Sequence, residues 1–127
     1  MWPAKLQLFN YSNTSKMSFQ NSACDVHLST QPGATSLIAI CNNDEGTGLE
    51  TELLLDDYLG NEDGHITWGG KNFSKNARNI FISSDGPKHI PTLHCDLAGP
   101  DGKYVSREID LADHIANIDG ELVVLPY

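Results

Sequence analysis

Apolar and polar positions alternate along this chain in short runs. Val26 and Leu28, and again Ile80 and Ile82, stand two residues apart in otherwise polar stretches, the period-two pattern of half-buried β-strands. Across a Gly/Pro turn each run meets a second apolar run, Leu37-Ile38-Ala39-Ile40 in one case and Leu93-His94-Cys95 in the other. Two β-hairpins are therefore predicted. Glu50 to Leu55 and Tyr104 to Leu111 read as further strands, while Asp56 to Leu59 and Asp113 to Ile115 leave room for about one 3-10 turn and no long helix. Both series end in Asn-x-Asp-Gly, at Asn61 to Gly64 and Asn117 to Gly120, followed by a last strand, His65 to Trp68 or Glu121 to Leu125. Gly64 and Gly120 supply the positive φ of a tight turn, and the Asn and Asp side chains bond nearby backbone groups. The predicted fold class is all-β.

The second series repeats the first. At an offset of 54, Phe19 meets Phe73, Ala23 meets Ala77, Val26 meets Ile80, Leu28 meets Ile82 and Cys41 meets Cys95. After a two-residue insertion placed near Pro100 and Asp101, Gly46 meets Gly102, Leu55 meets Leu111, Asp57 meets Asp113, Asn61 meets Asn117, Asp63 meets Asp119 and Gly64 meets Gly120. A duplication within 127 residues must share one core, because each copy is too small to bury one alone. The expected organisation is a poorly ordered N-terminal extension over 1–18, then one domain over 19–127 with repeat one at about 19–70 and repeat two at about 71–124.

Composition narrows the partners. A formal charge of -9, with eight scattered Lys plus Arg residues, disfavours nucleic acid and anionic lipid surfaces, both of which are bound by neutralising phosphates. No apolar run reaches the roughly 20 residues of a membrane-spanning helix, so no membrane insertion is expected. The start of the chain shows no conventional signal peptide, pointing to a cytoplasmic or unconventionally secreted protein. Cys24, Cys41 and Cys95 lack CxxC spacing and allow at most one bridge plus one thiol.

The same residues bear on other chemistries. A calcium loop fails because Leu59 and Ile115 stand two before the Asn, where a carboxylate is needed. The five histidines, His89 and His94 among them, read as surface or strand residues and no metal or other cofactor is expected. Asp57, Asp63, Asp113 and Asp119 could be paired as glycosidase carboxylates, but Asp57 and Asp113 fit the starts of helical turns equally well, so no enzyme is expected.

The run Ile109-Asp110-Leu111-Ala112-Asp113-His114-Ile115-Ala116-Asn117-Ile118-Asp119-Gly120, with its twin Asn61-Glu62-Asp63-Gly64-His65-Ile66-Thr67-Trp68, resembles the cyanovirin-N homologue family, in its fungal form, over about Ser18 to Val124. The resemblance implies two pseudo-symmetric halves that exchange strands. It also implies a lectin for high-mannose glycans with terminal α(1→2)-linked mannose. The main pocket it implies comprises Asn21, Ser22, Ala23, Asn42, Asp44, Asn117, Ile118, Asp119 and Gly120. A second comprises Asn61, Glu62, Asp63, Gly64, Lys71, Asn72, Lys75 and Asn76. Basic residues flanking the family's main pocket fall on Ser18 and Val123, and a sugar-contacting arginine of the second falls near Ala98 and Gly99, so weak binding mainly through the first is expected. The resemblance further implies a Cys24–Cys41 disulfide, Cys95 as a thiol facing Ala77, and Trp68 as core between the halves. A monomer is expected, with a strand-swapped dimer open through the hinge near Gly69 and Gly70. The alternative is a structural or interaction protein of this fold with little sugar affinity.

Overall fold

A computed structural model describes residues 19–84 and 90–126; the expected extension over 1–18, and His89, lie outside them. The described residues build an all-β fold in two like halves. Strands β1 (Ala23–Gln31), β2 (Ala34–Asn42) and β3 (Gly48–Leu54) form one antiparallel sheet; β6 (Ala77–Ser83), β7 (Thr92–Ala98) and β8 (Tyr104–Asp110) form the other. Between and after them lie the hairpins β4 (Leu59–Glu62) with β5 (His65–Trp68), and β9 (Ile115–Ile118) with β10 (Glu121–Val124). Single 3-10 turns at Phe19–Ser22, Leu55–Asp57, Phe73–Asn76 and Leu111–Asp113 link them.

The halves exchange hairpins. β10 packs on β3 of the first sheet and β5 on β8 of the second, so each sheet is closed by the hairpin of the other repeat. The reason is burial: Leu37, Ala39 and Cys41 on β2, and Leu93, Cys95 and Leu97 on β7, turn one face inward, and a three-stranded sheet alone has nothing to cover that face. Phe19 and Phe73, each on its own 3-10 turn, are buried in the shared core.

Strand pairing corrects the repeat's registration. Leu28 lies opposite Leu37 but Ile82 opposite Leu93, while Leu37 pairs with Leu53 and Leu93 with Ile109. The two extra residues therefore belong to the segment between β6 and β7, not near Pro100 and Asp101. Cys95 is consequently the twin of Ala39, and Cys41 the twin of Leu97. Leu97, not Cys95, sits opposite Ala77.

The implied Cys24–Cys41 bridge is not formed, and all three cysteines are thiols. Ala23 lies opposite Cys41 and Cys24 opposite Ile40, so the pleat turns Cys41 into the core and Cys24 to solvent. Burial first, and the neighbouring Cys24 second, push the Cys41 thiol up to about 11; burial first, and Asp96 second, do the same for Cys95. At pH 8 only about one thousandth of either buried thiol is ionised. Alkylation of the native protein at pH 8 should label Cys24 alone, with all three labelled after unfolding without reductant; a total of one would restore the bridge.

At the junction of the repeats Asp56 is buried, with 4 % exposure. Its Oδ1 accepts from the Thr35 N–H at 2.7 Å and the Ser74 hydroxyl at 2.8 Å, and its Oδ2 from the Ser74 N–H at 3.0 Å. The two hydroxyls of Thr35 and Ser74 also lie 2.8 Å apart. The other half has no such network, because the twins of Thr35, Asp56 and Ser74 are Pro91, Ala112 and Gln20. Pro91 has no N–H to satisfy, so no buried carboxylate is required there.

The chain also crosses itself at this junction. A Cβ on Gly70 would lie 2.6 Å from the Gly60 Cα, and one on Gly60 2.8 Å from the Gly70 Cα. Backbone cannot yield as a side chain can, so Gly70→Ala should cost about 3 kcal/mol in urea denaturation, and a loss below about 1 kcal/mol would mean that the crossing opens readily.

Candidate functional site

Each Asn-x-Asp-Gly segment is a two-residue hairpin with both central residues left-handed: Asp63 and Gly64 at φ 55 and 88, Asp119 and Gly120 at φ 53 and 88. Glu62 pairs with His65 and Ile118 with Glu121 across these turns, the type I′ geometry that matches strand twist. Glycine relieves one of the two strained positions and Asp, which tolerates the left-handed region, takes the other. The Asn side chain closes each turn, accepting from the Gly64 or the Gly120 N–H at 2.8 Å.

At the C-terminal turn, Asn117 joins three segments. Its Nδ2 donates to Ser22 Oγ at 2.9 Å and to the Asn42 carbonyl at 2.9 Å, with a longer 3.4 Å approach to the Ser22 carbonyl. Asp119 Oδ1 accepts from the Asp44 N–H at 2.9 Å. The loop after β2 is itself held by Asn43, whose Oδ1 accepts from the Glu45 and Thr47 N–H groups. Asn21, Asn42, Asp44 and Asp119 are exposed, Ser22, Ala23, Asn117 and Ile118 are half-buried, and Gly120 is buried. The result is a rigid rim of carboxylate, amide and hydroxyl groups open to solvent, suited to a ligand with several adjacent hydroxyls. Asn21, Ser22, Asn42, Asp44 and Asn117 to Gly120 are thus brought together, while Ala23 sits on β1 and lines a different groove, between β1 and β6.

A side chain at Gly120 would meet Leu49 Cδ1 at 2.9 Å and Asn43 Cβ at 3.1 Å, in addition to the left-handed φ. Gly120→Ala should therefore lift the turn from its loop and weaken ligand binding at least about tenfold, which calorimetric titration would read; unchanged affinity would show that the turn does not shape the pocket.

The opposite end follows the same plan with parts missing. Asn61 Nδ2 donates to the Ala98 carbonyl at 2.9 Å and Arg107 Nε to the Gly64 carbonyl at 2.7 Å. The twin of Asp44 is Pro100, which has no N–H, so Asp63 cannot lock its loop as Asp119 does. Asn61, Glu62, Asp63 and Gly64 stay together on the turn, but other expected members diverge. Lys71 reaches the Asp57 carbonyl at 3.4 Å. Asn72 bridges to Gly60 in a left-handed conformation. Lys75, exposed like Asn76, runs toward Gly33 at the tip of the first hairpin. Lys71 and Asn72 are thus junction residues, a placement that hydrogen bonds to Asp56 and Asp57 impose.

Asn43, Thr51 and Arg107 were not foreseen. Thr51 Oγ1 accepts from the Leu122 N–H at 3.3 Å, and Arg107 does the equivalent work at the other turn. Asn43 could have been found from its Asn-Asn-Asp-Glu-Gly turn run; Thr51 and Arg107 carry no local signal. Among the described residues no three His, Cys, Asp or Glu side chains converge as a metal site.

Two swapped hairpins, each turn closed by a half-buried asparagine, frame the site. The CVNH domain family matches residues 19–123. This chain belongs to that family, the cyanovirin-N homologues. A cyanovirin-N homologue of Neurospora crassa is 32 % identical over 106 residues, 83 % of this chain and 96 % of the relative. The NMR structure of Gibberella zeae CVNH superposes with a TM-score of 0.77 at 37 % identity, covering 87 % of this chain and 99 % of that one. Microvirin, solved as a mannobiose complex, superposes with a TM-score of 0.72 at 29 % identity, over 84 % and 96 % of the two chains. As a CVNH protein this chain falls within a family of carbohydrate-binding lectins.

Proposed function

We propose that this CVNH protein is a non-catalytic lectin for mannose-rich glycans, binding terminal α(1→2)-linked mannose weakly and mainly through the pocket of Asn21, Ser22, Asn42, Asp44 and Asn117 to Gly120. The observation that carries this reading is the three-segment lock at Asn117, which holds exposed carboxylate and amide groups at fixed separations. Microvirin's complex with mannobiose supports the sugar class. A preorganised rim spends little free energy on ordering, yet a handful of hydrogen bonds exchanged against water yields only about micromolar to millimolar affinity per site. The second turn, without the lock that Pro100 removes, binds more weakly still, and the protein acts as a monomer on mannose-rich glycoproteins.

The test is an amide-resolved titration with α(1→2)-mannobiose, repeated on Asp119→Ala. Saturable shifts at Asn42, Asp44 and Asn117 to Gly120, lost in a variant that keeps its dispersed spectrum, are the expected result. No shift anywhere would leave an interaction protein of lectin fold, and an unchanged titration of Asp119→Ala would reject the pocket assignment.

A further inference from the structure

Away from both turns, the outer edges of the two sheets face each other: β1 borders the first sheet and β6 the second, and the two lie side by side. A groove of about 610 Å3 runs between them, lined by Gln20, Asp25, Val26, Phe81, Ser83 and others. Its volume falls in the range of small-ligand sites, roughly 300 to 1,000 Å3. Both strands carry a bulge here, with Asp25 and Asn79 left-handed at φ 54 and 56. The bulges break the regular edges, which turns them from templates for another strand into places that re-aim side chains.

Phe81 is 54 % exposed, and it is held in place. Its ring stacks on His94 at 4.6 Å between centroids and 8° between planes. His94 is itself fixed by the Ser83 hydroxyl at 2.8 Å and lies 3.6 Å from the Glu108 carboxylate. A large apolar ring kept in water on a rigid support is costly unless something covers it. Polar groups stand nearby. The Asp25 carboxylate is 69 % exposed. Gln20 Oε1 is buried and accepts no hydrogen bond, an acceptor left short of a donor.

We propose that this groove is a further carbohydrate-binding site, for a neutral pyranose oligosaccharide, independent of the two turn pockets. The apolar C–H face of a pyranose covers the free face of Phe81, and its hydroxyls donate to Asp25 and to the Gln20 amide. Among the described residues no Lys or Arg lines the groove, and with a chain charge of -9 a neutral sugar fits it better than an anionic one. The duplication supplies an internal comparison. The pseudo-equivalent groove, lined by Thr30, Gln31, Gly33, Arg78 and Asn79, measures about 300 Å3. There the twin of Phe81 is His27, which turns back to the Asp25 carbonyl at 2.8 Å, so that groove lacks the platform and is assigned no ligand.

The test titrates the protein separately with mannotriose, maltotriose and triacetylchitotriose to about 20 mM, following the amides of Asp25, Val26, Ile82 and Ser83 apart from those of Asn117 to Gly120. Saturable shifts at the first set from at least one sugar, weakened about tenfold by Phe81→Ala while any response at Asn117 to Gly120 persists, are expected. Phe81 is exposed, so that variant should fold. No shift in the groove with any of the three, shifts indifferent to Phe81→Ala, or a stronger response to a sulfated trisaccharide would each overturn the proposal. Because the amide sets are separate, failure here leaves the turn-pocket reading standing, and the reverse also holds.

Discussion

Asp56→Ala should unfold at a urea concentration corresponding to a loss of about 4 kcal/mol, and at a melting temperature lower by about 15 °C. The side chain is buried and supplies the acceptor for the Thr35 N–H, the Ser74 N–H and the Ser74 hydroxyl. Removing it leaves those buried donors without their acceptor, the expensive half of hydrogen-bond deletion. Asp56→Asn should recover little, because an amide has one acceptor oxygen where two carboxylate oxygens are used, and its NH2 would face a donor. The apolar solution on the other side, Pro91 with Ala112, works because donor and acceptor are missing together. A loss below about 1 kcal/mol for Asp56→Ala would mean that the donors find other partners and that the network is incidental.

Replacing Asn117 by alanine should reduce mannobiose affinity at the main pocket by at least about 100-fold and lower stability by about 2 kcal/mol. One side chain closes the Asp119-Gly120 turn through its carbonyl and binds Ser22 and Asn42 through its amide, so its loss releases three pocket segments at once. Asn61→Ala is the control: it cuts the like bonds to Gly64 and Ala98 and should cost similar stability while leaving main-pocket affinity within about twofold. Calorimetric titration of both variants separates the two effects. Equal loss of affinity in both would show that binding follows global stability rather than the geometry at Asn117.

The two halves differ in ways that bear on function. Asp44 can donate its N–H to Asp119 whereas Pro100 cannot donate to Asp63, and Phe81 presents a ring where His27 folds back on its own strand. A duplication that keeps the core residues while changing the surface can therefore carry unlike sites on equivalent frames.

The sequence by itself determined the architecture: period-two alternation marks the strands, Asp-Gly marks both type I′ turns, and the duplication of Phe19 in Phe73 and of Asn61 in Asn117 marks two like halves. These signals are local or repeated, and local chemistry is what a linear string carries. The Asn117-to-Gly120 turn was legible for the same reason, since its Asn, Asp and Gly lie within four consecutive residues, whereas Asn21, Ser22, Asn42 and Asp44 were set beside it by family resemblance and not by any local pattern. Tertiary structure alone decided strand register, which moved the two-residue insertion into the segment between β6 and β7, separated Cys24 from Cys41 across the pleat and withdrew Lys71 and Lys75 from the second turn. A shift of one residue in register reverses a side chain's face, which parts Cys24 from Cys41, whereas matching Cys41 to Cys95 is an error of two residues, which keeps the face and so hides the place of the insertion. Asp56, Arg107 and the Phe81 groove depend on residues 18 to 61 positions apart, from Asp56 with Ser74 to Gln20 with Phe81. Such pairings arise only when two sheets are packed, because a hydrogen bond or a stacked ring is specified by distance in space and not by separation along the chain.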